Sequence, residues 1–396
     1  MTIDRMARYR GSKLLMLLMG TLFLQCAQQD RLEEILAQGS SSFHNTLKSA
    51  EHEVQIIYGE LVGDSIVHHY FNHDPERYFY PASTVKMPVA FAAVKKAQQL
   101  DIALDDPIII DSTEIYPRML CWDSALNAPI TIRNQIQKIF TVSDNSANNI
   151  LFGWLGMDYI NQLYGEAGMD TRIVHQLGER AFSFKPISNT FTRQTTIIQA
   201  DNDSVTFDES EQTFQPSLTI QHQKKGIGFI DSLGEHRNMP FDFSKKNFVS
   251  LENLLKILEA AIRPDLYKEP NPFDFSRQYH EDLISAMSLL PKDLAPYDTL
   301  ADNYVKFLGY GNAPSGNIPA HITIKNKVGW AYGYLLDVAY FEDSRNEISF
   351  FLAAVLHVNR NEIYNDGVYE YQEVGLPFLD ELGDLIYQYE LRKRAL

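Results

Sequence analysis

The sequence predicts an α/β protein of the α+β type, in which an antiparallel sheet of about five strands is flanked by helices. Two strand-like runs lie near the start of the chain, three lie near its end, and helical periodicity fills much of the interval. Because both ends supply strands, we expect one sheet built from both ends of the chain. The helices in between would form a second, mainly helical lobe, with a cleft between the two lobes.

The composition is that of an ordinary globular protein. The chain has 396 residues, of which 45% are hydrophobic and 12% aromatic, and its formal net charge is −16. An acidic surface repels phosphate backbones, so nucleic acid is not expected as a partner. The histidines show no metal-ligand spacing and no phosphate-binding glycine motif is evident, so neither a metal nor a cofactor is expected.

The first residues are typical of an export signal. Four basic residues precede the apolar run 14–24, which is too short to span a membrane as a helix. The position of Cys26 resembles the lipidation site of bacterial lipoproteins, which implies a signal peptide over residues 1–25, a tether over 26–30 and a lipid-anchored domain over 31–396. A plain signal peptide or an uncleaved anchor is the alternative. The expected location is the periplasmic side of the cell envelope, and removal of residues 1–25, with four basic and one acidic residue, would change the charge to −19.

The elements follow in chain order from hydrophobic periodicity and turn residues. The predicted helices cover residues 32–49, 83–100, 130–169 with a break at 142–145, 249–262, 280–290 and 372–392. The predicted strands cover residues 54–58, 65–70, 322–328, 334–341 and 348–356. A β-rich insertion is expected at about 184–245, and the tight connection at 331–333 implies antiparallel pairing.

Ser83 and Lys86 form the first candidate catalytic pair. A spacing of three places both side chains on one face of a helix, so an amine can lie beside a hydroxyl. Serine becomes a useful nucleophile when a neighbouring base takes its proton, and a neutral lysine can be that base. A lone Ser-x-x-Lys match occurs often by chance, so this pair alone does not identify an enzyme.

Two further fragments strengthen the assignment. Ser143, Asp144 and Asn145 occupy the predicted break between helices, and Lys327, Val328 and Gly329 lie on a predicted strand before a hairpin. The order and placement of the three motifs resemble those of class A β-lactamases and, more broadly, of penicillin-recognising serine enzymes. The resemblance covers about residues 31–396, although the 184 positions between Ser143 and Lys327 exceed the interval in compact members.

The resemblance implies a role for each motif residue. Ser83 would be the nucleophile, Lys86 its base or proton relay, and Ser143 the donor of a proton to the departing nitrogen. Asn145 would orient Lys86 and the substrate amide, and Lys327 would supply positive charge. The Gly329–Trp330 segment would bind substrate, with the backbone N–H groups of Ser83 and Trp330 forming the oxyanion hole.

Two departures from the family pattern affect the expected activity. Val328 stands where β-lactamases usually carry Thr or Ser, so a hydroxyl for the substrate carboxylate is missing. The deacylating water needs a base, for which Glu179 has suitable spacing from Ser143, although its sequence context differs from that of the family loop. An exposed loop glutamate is the alternative interpretation of Glu179.

The sequence therefore predicts an exported serine hydrolase that is acylated on Ser83. The leading expected activity is β-lactam hydrolysis, which would confer antibiotic resistance. A D,D-peptidase or an esterase with the same chemistry is one alternative, and a poorly active penicillin-binding sensor is another. The expected partners are a small-molecule or peptidoglycan-like acyl donor and a membrane, and the protein is expected to be a monomer. Cys121, the only other cysteine, is expected to be a small buried residue.

Overall fold

A computed structural model describes residues 31–114, 118–178, 189–200 and 203–395. The helices are α1 (31–36), α2 (Ser41–Lys48), α3 (Lys86–Gln99), α4 (Ile132–Val142), α5 (Asn145–Gly165), α6 (Leu251–Ile262), α7 (Arg277–Ser288) and α8 (Leu376–Arg394). The longer strands are β1 (Gln55–Val62) and β2 (Ser65–Phe71), together with β12 (Ile322–Ala331), β13 (Tyr334–Asp343) and β14 (Ile348–His357). The shorter strands are β3 (Ile108–Ile110), β4 (Trp122–Asp123), β5 (Ala128–Pro129), β6 (Thr195–Ile198), β7 (Ser204–Phe207), β8 (Lys224–Lys225), β9 (Gly228–Ile230), β10 (His236–Arg237), β11 (Phe241–Asp242) and β15 (Ile363–Tyr364).

The five longer strands form one antiparallel sheet in the order β12-β13-β14-β1-β2. β14 pairs with β1, so strands from the end of the chain and from its start are neighbours. The fold class and the assembly of the sheet from both ends are therefore confirmed. The hairpin between β12 and β13 has only Tyr332 and Gly333 in its loop, with φ of 56° and 80°. Positive φ at both positions gives the turn whose twist matches that of the flanking strands.

The sheet is buried on both faces by two hydrophobic clusters. Along β13, Leu336 and Val338 pack into one cluster with α3 to α6, while Leu335 and Ala339 pack into the other with α2 and α8. Successive strand side chains point to opposite faces, so one strand serves both layers. α3 is apolar over most of its surface and lies within the helical lobe.

The first predicted helix is wrong in one respect, because residues 32–49 do not form one continuous helix. The chain turns at Gly39, where a Cβ atom would lie only 2.3 Å from the ring of Phe43. Ser40 then caps α2 by accepting a hydrogen bond from the Phe43 backbone N–H at 3.2 Å. A cap inside a periodic segment starts a new helix, and hydrophobic periodicity alone does not show this.

The predicted β-rich insertion contains β6 to β11 in its described part. β6 pairs with β3 on one side and with β7 on the other, whereas β9 pairs with β10 and, in parallel, with β15. Phe241 and Phe243 pack against Tyr332 at centroid distances of 5.4 Å each, so this segment supports the β12–β13 hairpin. The predicted burial of Cys121 is wrong, since this free cysteine is exposed. Within the described ranges, no helix is both long and apolar enough to cross a bilayer.

Candidate active site

Ser83 lies in a tight turn at the start of the helical lobe. It belongs to a short 3₁₀ helix, Ala82–Val85, that runs directly into α3, so it lies just before the α-helix rather than inside it. Ala82 has a φ of 47°, a left-handed conformation that costs energy for a residue with a Cβ atom. The Lys86 backbone N–H donates to the Ser83 carbonyl, which keeps the two residues on one turn.

Ser143 occupies the break between α4 and α5. It has a left-handed backbone, with φ of 56°, and ends α4, while Asp144 begins α5 by accepting a hydrogen bond from the Ala147 N–H at 2.7 Å. Two helix ends therefore meet at a serine whose position is fixed from both sides. The predicted break at this motif is confirmed.

Lys86 and Lys327 converge on Ser143. The Nζ atoms lie 3.2 Å and 2.8 Å, respectively, from Ser143 Oγ, and Lys86 also donates to the Ser143 carbonyl. Lys86 is fully buried and Lys327 is 1% exposed. Burial, followed by the neighbouring Lys86 charge, lowers the pKa of Lys327 well below that of an ordinary lysine. The arrangement therefore favours a neutral amine within this pair, which is the form able to accept a proton.

A buried polar network lies under the same strand. Asn326 accepts a hydrogen bond from Lys306 Nζ at 2.6 Å and donates to Asp337 at 2.7 Å. Asp337 also accepts from the backbone N–H groups of Phe307 and Leu308 at 3.0 and 3.1 Å. Burial lowers the pKa of Lys306 to about 8 and raises the pKa of Asp337. The network fixes the segment around Phe307 against β12 and places a further cation near Lys327.

Asn145 and Asn149 hold one neighbouring segment of the chain. Asn145 donates from Nδ2 to the Gly178 carbonyl at 2.8 Å, and Asn149 donates to the Leu177 carbonyl and accepts from the Leu177 N–H, both at 2.9 Å. The two asparagines lie four positions apart on α5, so they face the same way. They anchor the residues immediately before Glu179, which itself lies outside the described residues.

Gly329 lets β12 approach the Ser83 turn closely. A Cβ atom at this position would lie 2.8 Å from the Pro81 carbonyl oxygen and 3.1 Å from the Ser83 backbone nitrogen. Only a residue without a side chain allows the strand to lie this close. The backbone of Trp330 follows directly, so the two predicted oxyanion-hole residues come from elements in contact.

Two clefts open on either side of Ser83. One, the Tyr369 cleft, has a volume of about 440 Å³, and the other, the Tyr304 cleft, about 470 Å³. Ser83, Asn145 and Trp330 line both clefts. The Tyr369 cleft is otherwise lined by Tyr80, Ala82, Leu177, Gly178, Ala331, Tyr332, Asn365, Gly367 and Tyr369. The Tyr304 cleft is otherwise lined by Val142, Ser143, Asn303, Tyr304, Val305, Phe307, Gly311, Val328, Gly329, Gln372 and Leu376.

Most of the sequence-predicted site residues therefore meet at one place. The structure brings together Ser83, Lys86, Ser143, Asn145, Lys327, Gly329 and Trp330. Glu179 and Cys26 lie outside the described residues. No group of three potential metal ligands occurs among residues 31–114, 118–178, 189–200 and 203–395.

Sequence reasoning did not identify the cleft walls or the buried network. Tyr304, Phe307 and Gln372 come from segments with no recognisable motif, so no local signal marked them. Lys306 lies before β12 and Asp337 lies on β13, so only the tertiary packing around Asn326 brings them together. Asn149 could have been identified from the sequence, because it follows Asn145 by one helical turn.

Comparison with known proteins identifies the fold. Residues 40–205 match a sequence model described as the β-lactamase enzyme family, an interval that contains Ser83 and Ser143 but not Lys327. No curated protein matches the chain. The crystal structure of TLA-3 extended-spectrum β-lactamase is 12% identical, with a TM-score of 0.51 over 92% of this chain and 99% of that one.

A second solved structure has the same fold. It is a variant of the last common ancestor of class A β-lactamases of Gram-negative bacteria, 15% identical, with a TM-score of 0.50 over 89% of this chain and 98% of that one. At such identities the likeness concerns the fold, and the family match over residues 40–205 adds the enzyme type. The chain is a β-lactamase-like serine enzyme, that is, a serine hydrolase of the β-lactamase type.

Proposed function

We propose that this protein hydrolyses an amide or ester through an acyl-enzyme formed on Ser83. The observation that carries the proposal is the contact of two buried lysines, Lys86 and Lys327, with the Ser143 hydroxyl at the edge of a cleft that Ser83 lines. Two buried amines on one hydroxyl are costly for stability alone, because each loses its hydration. Proton transfer at this position explains their presence.

Each proton that moves in the acylation step has a donor and an acceptor. Neutral Lys86 takes the proton of Ser83, whose Oγ forms a bond to the substrate carbonyl carbon. The negative oxygen that develops is stabilised by the backbone N–H groups of Ser83 and Trp330. When the bond from carbon to the leaving nitrogen or oxygen breaks, Ser143 gives that atom its proton, and Lys86 restores the proton of Ser143. Lys327 donates a hydrogen bond to the Ser143 oxygen and stabilises it during this transfer.

Hydrolysis of the acyl-enzyme completes the cycle. Water adds to the ester carbonyl, the bond to Ser83 Oγ breaks, and the acid is released while Ser83 regains its proton. Glu179 is the proposed base for this water, and Asn145 and Asn149 support the idea because they fix the residues that precede it. We also propose export to the cell envelope with a lipid on Cys26, on the basis of the N-terminal sequence.

β-Lactams and related amides are the first substrates to consider, given the family match over residues 40–205. Val328 favours a second candidate, an esterase, because this position offers no hydroxyl to a substrate carboxylate. Both activities use the same acylation of Ser83 and differ only in the leaving group, which is an amine or an alcohol.

Covalent labelling tests the proposal. The protein is incubated with a fluorophosphonate probe, which phosphonylates activated serines, and the labelled peptide is identified by mass spectrometry. We expect the label on Ser83 and no label on the Ser83→Ala variant, with an unchanged circular dichroism spectrum. The Ser288→Ala variant is a matched control, because Ser288 lies on α7 and lines neither cleft. Undiminished labelling of Ser83→Ala would overturn the proposal.

A further inference from the structure

The Tyr304 cleft lies on the side of Ser83 where Ser143 and Val328 are found. Every described residue that lines it is uncharged. Lys327, the nearest cation, is 1% exposed, and its Nζ is hydrogen-bonded to Ser143 Oγ and, at 3.0 Å, to the Val328 carbonyl. Lys306 is likewise 1% exposed and bonded to Asn326 and the Ile324 carbonyl. Neither amine is presented to a ligand in the cleft.

Recognition of a carboxylate is strongest where a charged donor adds to neutral ones. Ser83, Ser143 and Tyr304 bring neutral hydroxyls to the cleft, but Val328 adds none on the strand beside Lys327. A carboxylate that entered would lose water without gaining a charged partner, which is unfavourable. The net charge of −16 adds a long-range repulsion of anions.

The same cleft offers a broad aromatic surface. Trp330 is 49% exposed and Tyr304 50% exposed, although both side chains are large and largely apolar. Trp330 is held by Phe307 and Tyr371 at centroid distances of 5.9 and 5.5 Å, so its indole ring has a fixed orientation. Exposed aromatic surface beside a nucleophile is typical of a ligand site. Neutral polar groups of Asn303 and Gln372 complete the wall.

We propose that the preferred substrate is a neutral acyl donor, an ester or amide without a carboxylate on its leaving group, carrying a flat ring that packs on Trp330. This inference rests on the proposed acylation of Ser83 and adds the substrate class. In the reaction, Ser83 Oγ forms a bond to the acyl carbon, the leaving group departs with a proton from Ser143, and water later releases the acid. Val328 and Trp330 are the residues that determine specificity.

Two matched substrate pairs test the proposal. The first is benzylpenicillin against its methyl ester, which share the scissile amide and differ only in the free carboxylate. The second is 3-carboxyphenyl phenylacetate against phenyl phenylacetate, compared after normalisation to their rates with hydroxide. We expect kcat/KM for acylation to favour the neutral member of each pair by at least about tenfold, the effect of one unpaired ionic group. Equal rates, or a faster anionic member, would overturn the inference.

Three variants locate the specificity. Val328→Thr introduces a hydroxyl and should raise the ratio of kcat/KM for the anionic member to kcat/KM for the neutral member of each pair, and an unaltered ratio would refute the role of Val328. Trp330→Ala should raise KM for both neutral substrates by about tenfold or more, a typical effect of removing an aromatic anchor. Trp122→Ala is the matched control, since Trp122 is 54% exposed but lines neither cleft. Equal KM values for the two tryptophan variants would refute the role of Trp330.

The fluorophosphonate experiment separates this inference from the proposed function. If Ser83 is labelled and the anionic substrates react as fast as the neutral ones, the acylation chemistry stands and the substrate class is wrong. If Ser83 is not labelled, the proposed function fails and the inference fails with it.

Discussion

Lys327 donates a hydrogen bond of 2.8 Å to the hydroxyl of Ser143, although 184 positions separate the two residues in sequence. One residue is on the edge strand of the sheet and the other between two helices, so this bond joins the two lobes across the cleft. Its chemical consequence is that the proton of Ser143 lies within reach of two amines, Lys86 and Lys327.

Replacement of Ser143 by Ala should separate amide from ester hydrolysis. An amine leaving group must be protonated as it departs, whereas a nitrophenolate leaves without a proton. We expect Ser143→Ala to lower kcat for amides by about 10²–10⁴-fold, the usual value of general acid–base catalysis, and to affect nitrophenyl esters far less. Steady-state kinetics with both substrate types would measure the difference. Equal losses for the two would mean that Ser143 has only a structural role.

The charges around Lys327 should set the acidic limit of activity. The Lys306 charge lowers the pKa of Lys327 and the Asp337 charge raises it, after the larger effects of burial and of Lys86. The proposed acylation needs a neutral amine in the Lys86–Lys327 pair, so activity should rise as pH rises through the pKa of Lys327. Lys306→Met should therefore move the acidic limb of the kcat/KM profile to higher pH, and Asp337→Asn should move it to lower pH.

The same pKa determines a change in stability with pH. Because the pKa of Lys327 is lower in the folded protein than in the unfolded chain, the unfolded chain binds more protons between the two values. The contribution of Lys327 to the free energy of unfolding should therefore increase as pH rises through that window toward the pKa of an ordinary lysine. Circular dichroism at each pH would verify that the Lys306→Met and Asp337→Asn variants are folded. If both variants shifted the kcat/KM profile in the same direction, the assignment to Lys327 would be contradicted.

Gly329→Ala should impair catalysis by moving β12 away from Ser83. The new Cβ atom would lie too close to the Pro81 carbonyl, so the strand must shift and the two proposed oxyanion donors separate. Small displacements of this kind can cost about 10²-fold in rate, and overpacking typically costs about 1–3 kcal/mol of stability. Gly165→Ala at the end of α5 is the control, because its Cβ would have only an ordinary contact of 3.5 Å. Activity of Gly329→Ala equal to that of the control would show that the approach is not critical.

Features that depend on local sequence were predictable, whereas features that depend on tertiary packing were not. The five strands and the break before Asn145 were predictable, because alternating hydrophobicity and capping residues are local properties. The meeting of Ser83, Ser143 and Lys327 was predictable only through the resemblance, since no local rule relates a strand to a loop so far away. The Lys306–Asn326–Asp337 network and the Tyr304 cleft depend on tertiary packing of segments that carry no motif. The exposure of Cys121 likewise depends on where β4 and its neighbours lie.

The last prediction concerns deacylation. If Glu179 activates the water, Glu179→Gln should still be acylated but should release product about 10²–10⁴-fold more slowly, so an acyl-enzyme would accumulate that the parent does not hold. Asn149→Ala should produce a weaker form of the same defect, because it removes the hydrogen bonds that fix Leu177 just before Glu179. Quenched-flow mass spectrometry with a β-lactam or an aryl ester would follow the adduct.

The outcomes distinguish three mechanisms for releasing the acid. A parent enzyme that itself holds the adduct for hours would mean that Glu179 does not act as the base, and would favour a peptidase or a sensor. Equal turnover of parent and Glu179→Gln would mean that another group activates the water, and Lys86 would be the first candidate because it reaches Ser143 in the same site. Slow release by Glu179→Gln with normal release by Asn149→Ala would assign the water to Glu179 and show that its position does not depend on Asn149.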